Sequence, residues 1–253
     1  MSILCYRALA PLLLGYPDTA LTDADRAVKN ARDIGQAATL MFTLVHACLA
    51  NLLCGKCDAL NALVDELFAL ADEKSSLFWK TSGMLLRGFA FALNGRASEA
   101  VQTITTGIAA WRATGSTLWL PLYLSQLASA YADLGQFREA WCCIGEAIST
   151  IATTKERWFE AEANRVAGEV LLRFPEPDAA KAQAYFEHAL DVARKQQAKF
   201  WELRAAMSLA RLWRDQEKPQ QARELLAPVY GWFTEGFDTR DLKEAKALLE
   251  ELA

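Results

Sequence analysis

LSQLASAYADLGQFREAWCCIGEA, residues Leu124 to Ala147, predicts two helices folded back on each other. Counting from Ala128, an aromatic ring follows at +3 (Tyr131), a glycine at +7 (Gly135), a small residue at +12 (Ala140), a large apolar residue at +16 (Ile144) and a second small one at +19 (Ala147). Apolar residues spaced three and four apart share one face of a helix. Gly135 separates two such faces, and glycine accepts the positive φ that ends a helix without a side-chain clash. Antiparallel helices joined by so short a turn must approach closely, so the small residues are expected to face one another across the hairpin.

The same offsets recur along the chain. Gly15, Gly55, Gly95 and Gly135 stand forty residues apart and open the turns GYPDTA, GKCDAL, GRASEA and GQFREA. The first hairpin carries Ala8, Ala20, Ala24 and Ala27, and the third carries Gly88, Phe91, Ala100 and Ile104. The fifth carries Gly168, Leu171, Ala182, Phe186 and Ala189, with a two-residue insertion at Phe174-Pro-Glu-Pro; the sixth carries Ala210, Trp213, Ala222, Leu226 and Val229. The second departs most, with Cys48, Asn51 and Leu60 at these positions. Pro17, Pro175, Pro177 and Pro219 fall in turns or at helix starts, where a missing N–H is tolerated. No alternating run argues for a strand. The reading is all-α: six hairpins and a final helix, with the fixed period of a solenoid. It is one domain over 1–253, closed by a helix over 238–252 that starts at the capping residues Asp238 and Thr239 and carries the apolar stripe Leu242, Ala245, Leu248, Leu249 and Leu252.

This order of small, aromatic, Gly, Ala, aromatic and Ala resembles the tetratricopeptide repeat over nearly the whole chain. The resemblance implies a right-handed superhelical solenoid whose concave surface comes from the first helix of each hairpin. A period of forty against the ~34 of the standard unit predicts longer helices or longer links. The tail from Ser208 onward, with WRATGSTLWLP (Trp111–Pro121) and WFEAEANRVAGEVLL (Trp158–Leu172), is also similar to the C-terminal region of large bacterial signalling proteins. Those proteins join a nucleotide cyclase or DNA-binding domain to a regulatory ATPase. Nothing here resembles those other domains, so no catalytic residue carries over. On the implied concave surface, the offsets place Phe42, Val45, Leu49, Leu85 and Phe89 in the N-terminal half, and Glu162, Arg165, Glu169, Arg204, Met207, Arg211 and Arg214 in the C-terminal half. An apolar groove running into a charged one suits a peptide; the charges could also pair among themselves, Glu162 with Arg165 and Arg165 with Glu169.

Other residues point away from chemistry. Cys54-Gly-Lys-Cys57 has redox or half-zinc spacing, but no second pair and no preceding strand accompany it, and it straddles a turn glycine. Cys142 and Cys143 are neighbours on a helix. Neither His46 nor His188 has a partner at metal spacing. Trp79, Trp119, Phe159 and Trp201 recur at offset −9, as plugs between hairpins or as a stacking ladder. No cofactor, metal or catalytic set is expected.

The net charge of −4 gives no reason to expect nucleic acid. Residues 1–126 hold 20 charged side chains and residues 127–253 hold 38, so the first half is the better candidate for being covered. Leu40 to Cys54 is too short to span a bilayer and reads as a core helix, and the first residues lack a secretory signal pattern, so a cytoplasmic protein without membrane partners is expected. Met1 falls inside a repeat's first helix, with Pro11 set to kink or weaken it; this reads as a cut through a longer array whose open end, with Leu4 and Leu12, a second copy could close as a homodimer. The expected function is a non-catalytic interaction or regulatory scaffold in bacterial signalling, binding a protein or peptide. The alternative is an inducer sensor with a polar pocket near Arg165, Arg204, Arg211 and Trp213.

Overall fold

The computed structural model describes the backbone of residues 2–253 and the side chains from Tyr6 onward. The expectations that fall on Met1, Leu4 and the thiol of Cys5 lie outside these described residues. Thirteen helices occur among them, six hairpins and a closing helix: α1 (Ser2–Leu14) with α2 (Pro17–Ile34), α3 (Ala37–Leu53) with α4 (Cys57–Glu73), α5 (Leu77–Leu93) with α6 (Ala97–Ala113), α7 (Leu120–Asp133) with α8 (Phe137–Thr154), α9 (Glu160–Leu172) with α10 (Ala179–Lys195), α11 (Lys199–Asp215) with α12 (Pro219–Tyr230), then α13 (Arg240–Glu251). No strand is present among the described residues. Where the sequence reads as one array, the packing groups into two compact units, residues 1–12 with 16–117, and residues 118–253 with 13–15.

The turns explain the period. The Gly55 N–H donates to the Leu52 carbonyl at 3.1 Å and the Lys56 N–H to the Asn51 carbonyl at 2.9 Å. This is the Schellman pattern, which satisfies the last carbonyls of the helix and needs a left-handed residue at its centre. The same pair of bonds closes the turns at Gly95 and Gly135. Residues with positive φ stand every twenty positions from Gly15 through Gly35, Gly55, Ser75, Gly95, Gly115 and Gly135 to Lys155; the α9–α10 link, which carries the two-residue insertion, has none, and the series resumes at Gln197 and Glu217, with Trp119 and Gly236 lying off it. The repeated element is therefore one helix and one turn, traversed twice per hairpin. Helices α3 to α6 are each 17 residues long. The extra length over a standard unit lies in the helices, not in the links.

Packing across each hairpin corrects the expectation that small residues meet small ones. A Cβ added at Gly88 would lie 2.5 Å from Ile104 Cγ1, one at Gly107 2.8 Å from Leu85 Cδ2, and one at Gly168 2.4 Å from Phe186 Cε1. Each small residue receives the large residue of the opposite helix, because a close-packed interior fills the space that a missing Cβ leaves. Within each unit the first helices touch their successors (α3 with α5; α7 with α9, α9 with α11, α11 with α13), and among the described residues the second helices do not touch one another. The first helices thus form the tighter, inner layer of each unit.

Some local expectations change. Helix α1 continues through Pro11 to Leu14. Leu12 is fully buried, so it belongs to the interior and not to an open end. Thr239 precedes α13, but its hydroxyl donates to the Gly236 carbonyl at 2.6 Å and caps no N–H. The α13 stripe is buried as expected at Leu242, Ala245, Leu248 and Leu252. No helix among the described residues is long and apolar enough to cross a membrane.

Gly168→Ala, forcing a methyl into the Phe186 ring, should lower unfolding free energy by about 1–3 kcal/mol. Gly145→Ala, at an exposed site in α8 with nothing within 4 Å, should raise it by about 0.5–1 kcal/mol. Paired urea denaturation curves test this; equal midpoints for the two variants would refute the packing rule.

Candidate partner-binding face

The predicted face divides into two kinds of residue. In the first unit Val45, Leu49, Leu85 and Phe89 are buried, with Leu85 and Phe89 at 0% exposure. This corrects their assignment to an open groove: each of these inner-layer helices is covered by its own hairpin partner, by the second helix of the preceding hairpin and by the neighbouring first helix of the same unit, so most of its apolar circumference is core. Phe42 alone of this set is half-buried. Its ring stands 4.3 Å from His46, 6.2 Å from Trp79 and 6.4 Å from Tyr6, centroid to centroid. His46 Nδ1 is 2.8 Å from the Phe42 carbonyl, and burial pushes the pKa of this histidine down, so it is held as a neutral core residue.

In the second unit the charged residues converge on one buried carboxylate. Glu162, 2% exposed, accepts from Arg165 Nε at 2.8 Å and Nη2 at 3.0 Å, and from Arg204 Nη1 at 3.0 Å. Arg165 also reaches Glu169 Oε1 at 3.2 Å and Ser208 Oγ at 3.2 Å, and the Ser208 hydroxyl donates to Glu169 Oε1 at 2.6 Å. Arg204 donates to Asp241 Oδ2 at 2.9 Å and lies over the rings of Phe200 and Trp201, 4.6 and 5.4 Å from their centroids. Farther along, Arg211 donates to Glu244 at 2.8 Å and Arg214 to Glu251 at 2.5 Å. Burial disfavours charge on Glu162, but the two guanidiniums outweigh it and hold the carboxyl below its usual range. Burial likewise lowers and the carboxylates more strongly raise the pKa of Arg165. Met207 is buried, so it supports this face from beneath.

The pairing of Arg165 with Glu162 and Glu169 was legible in the sequence. Asp241, Ser208 and Glu244 were not singled out there. The Glu162–Arg204 contact had a signal, since both occupy offset −6 in adjacent hairpins; Asp241 had none, because the closing helix carries no repeat index. Of the aromatic series, Phe159 and Trp201 are buried plugs, 5.4 Å apart, with the Trp201 indole donating to the Trp158 carbonyl at 3.0 Å; Trp79 and Trp119 are half-buried. Cys48, Cys54, Cys57, Cys142 and Cys143 are free thiols, and no group of metal-ligating side chains occurs among the described residues.

No family model and no curated protein matches the sequence. Solved structures do. The apo form of RapI superposes with a TM-score of 0.66 at 11% identity, over 99% of this chain and 84% of that one. NprR in complex with its cognate peptide NprX gives 0.61 at 13% identity, over 99% and 77%. A Signal Transduction ATPase with Numerous Domains from Pyrococcus horikoshii, PH0952, described as having a tetratricopeptide repeat sensor, gives 0.55 at 12% identity, over 98% of this chain and 41% of that one. The chain has the tetratricopeptide-repeat fold. Within that fold the charged face lies on first helices α9 and α11 and on the closing helix α13.

The depressed pKa of Glu162 stabilises the folded state above about pH 4.3, and that stability is lost as pH falls through the lower folded value. Glu162→Gln should cost about 3 kcal/mol at pH 7, and its stability should fall less steeply than wild type between pH 5 and 3. Parallel urea titrations across that range measure both; identical acid slopes would place the titrating group elsewhere.

Proposed function

We propose that this chain is a non-catalytic recognition module of a bacterial signalling system, binding a peptide or protein segment on the first-helix face of its second unit. The observation that carries the reading is the shared fold, over 99% of this chain, with NprR in a peptide complex. The face itself supports it. Glu169 is held from below by Arg165 and Ser208, whereas Arg211 and Arg214, with side chains 36% and 37% exposed, pair with exposed carboxylates at the rim, Glu244 for the one and Asp215 and Glu251 for the other. Exposed pairs of this kind are worth about 0–1 kcal/mol, so a partner's charges can exchange into them. Beneath them Glu162, Arg165, Arg204 and Met207 form the fixed floor. A small-ligand pocket built on Arg165, Arg204 and Arg211 has less support, because each guanidinium already holds a carboxylate of the chain. A cytoplasmic setting, protein rather than nucleic-acid partners, and self-association through the N-terminal hairpins complete the proposal.

Panning the full chain against a random twelve-residue peptide library tests it. Selected peptides should lose at least about tenfold in affinity, or 1.4 kcal/mol, on Arg211→Glu or Arg214→Glu, with unchanged melting curves. Peptides that bind both variants as tightly as wild type, or a library that yields no binder while a metabolite panel raises the melting temperature, would overturn it.

A further inference from the structure

We propose that the cleft where α8, α9 and α10 meet is a binding site for a small oxyanion, a phosphate or carboxylate group, held by Lys155, Arg157 and His188. The cleft has a volume of about 160 Å³, room for a group of several heavy atoms, and Ile148 and Ile151 form its apolar side. It lies on the edge of the second unit away from the charged face described above, and its cations are in a different state. On that face every guanidinium named holds a carboxylate. Here Lys155 has no ion pair among the described residues, the nearest carboxylate to Arg157 is Glu160 at 4.0 Å, and His188 is exposed. Two cations and an imidazole therefore line one concave site with one carboxylate among them.

The loop that carries two of these groups is braced from several sides. Glu156, the other acidic residue in the loop, is turned away: its carboxylate accepts the Trp119 backbone N–H at 3.0 and 3.1 Å and the Trp158 indole N–H at 2.8 Å. The Arg157 carbonyl accepts from Gln196 Nε2 at 2.9 Å. On the opposite wall the buried Asn164 amide donates to the Glu160 carbonyl at 2.8 Å, which fixes the start of α9. These bonds hold the backbone that carries Lys155 and Arg157 in place, while the Arg157 side chain, 62% exposed, stays open to a ligand. Glu160 and the carbonyl end of α8 offset part of the positive charge, so the site should bind a compact anion moderately, with Arg157 supplying the forked donor and Lys155 the point charge.

Lys155 takes φ 62° at a turn position where Gly35, Ser75, Gly115 and Gln197 stand in the corresponding links. A lysine in this conformation is strained by roughly 1–2 kcal/mol that glycine avoids. Replacing it with glycine therefore removes the cation without weakening the fold.

Amide-resolved NMR of the full chain, titrated separately with sodium phosphate and sodium succinate at constant ionic strength, tests the site. Saturable shifts centred on Ile148, Ile151, Asn164 and His188 are expected, and the probe that saturates at lower concentration identifies the head group. Lys155→Gly combined with Arg157→Ala should weaken binding at least about tenfold while the melting temperature holds or rises. The control pair Arg138→Ala with Arg223→Ala removes the same charge from exposed sites elsewhere and should leave binding unchanged. Shifts that grow linearly with both probes, or equal weakening in the control pair, would overturn the site.

Discussion

The left-handed residue that closes the turn after most of the helices is the constraint on which the rest depends. A helix that stops in a Schellman turn satisfies its last carbonyls locally and sends the chain back within three residues. Repeated every twenty residues from Gly15 to Lys155, this sets helices antiparallel to one another at a fixed interval, and the fixed interval keeps the small and large positions of facing helices in register. Gly88 can receive Ile104, and Gly168 can receive Phe186, only because the turn between them returns the second helix at a fixed height. The link after α9, where the repeat is lengthened by two residues, has no left-handed residue, yet the pairing at Gly168 is kept and the next left-handed position, Gln197, falls 42 residues after Lys155.

A second constraint follows from placing charge on an inner helix. Glu162 has almost no contact with water, and an isolated carboxylate could not remain ionised there. Two guanidiniums from α9 and α11 neutralise it, and those guanidiniums in turn engage Glu169 and Asp241. The network ties α9, α11 and α13 together, so it belongs to the structure before it belongs to any partner. Only the rim pairs, nearer water, are weak enough to exchange. The cleft beside Lys155 shows the opposite arrangement, in which the nearby acid Glu156 is tied to two N–H groups and the cations are left facing solvent. The same unit thus separates charges that hold it together from charges that remain available.

By itself the sequence determined the helical class, the number of hairpins, the positions of the glycine turns, the buried stripe of α13 and the pairing of Arg165 with its neighbours, because each follows from residues close together in the chain. Ser75, Lys155, Gln197 and Glu217 were hidden as turn residues, since nothing in their composition marks a positive φ; only the twenty-residue spacing does. Tertiary structure alone decided which apolar residues face a groove and which face the core. Val45, Leu49, Leu85 and Phe89 follow the same helical period whether the next helix covers them or not, and the period cannot report the neighbour. It also decided which cations are free. Arg204 and Lys155 look alike as single letters, and what separates them is a carboxylate from another helix, Asp241, brought within hydrogen-bonding distance of the one and not of the other.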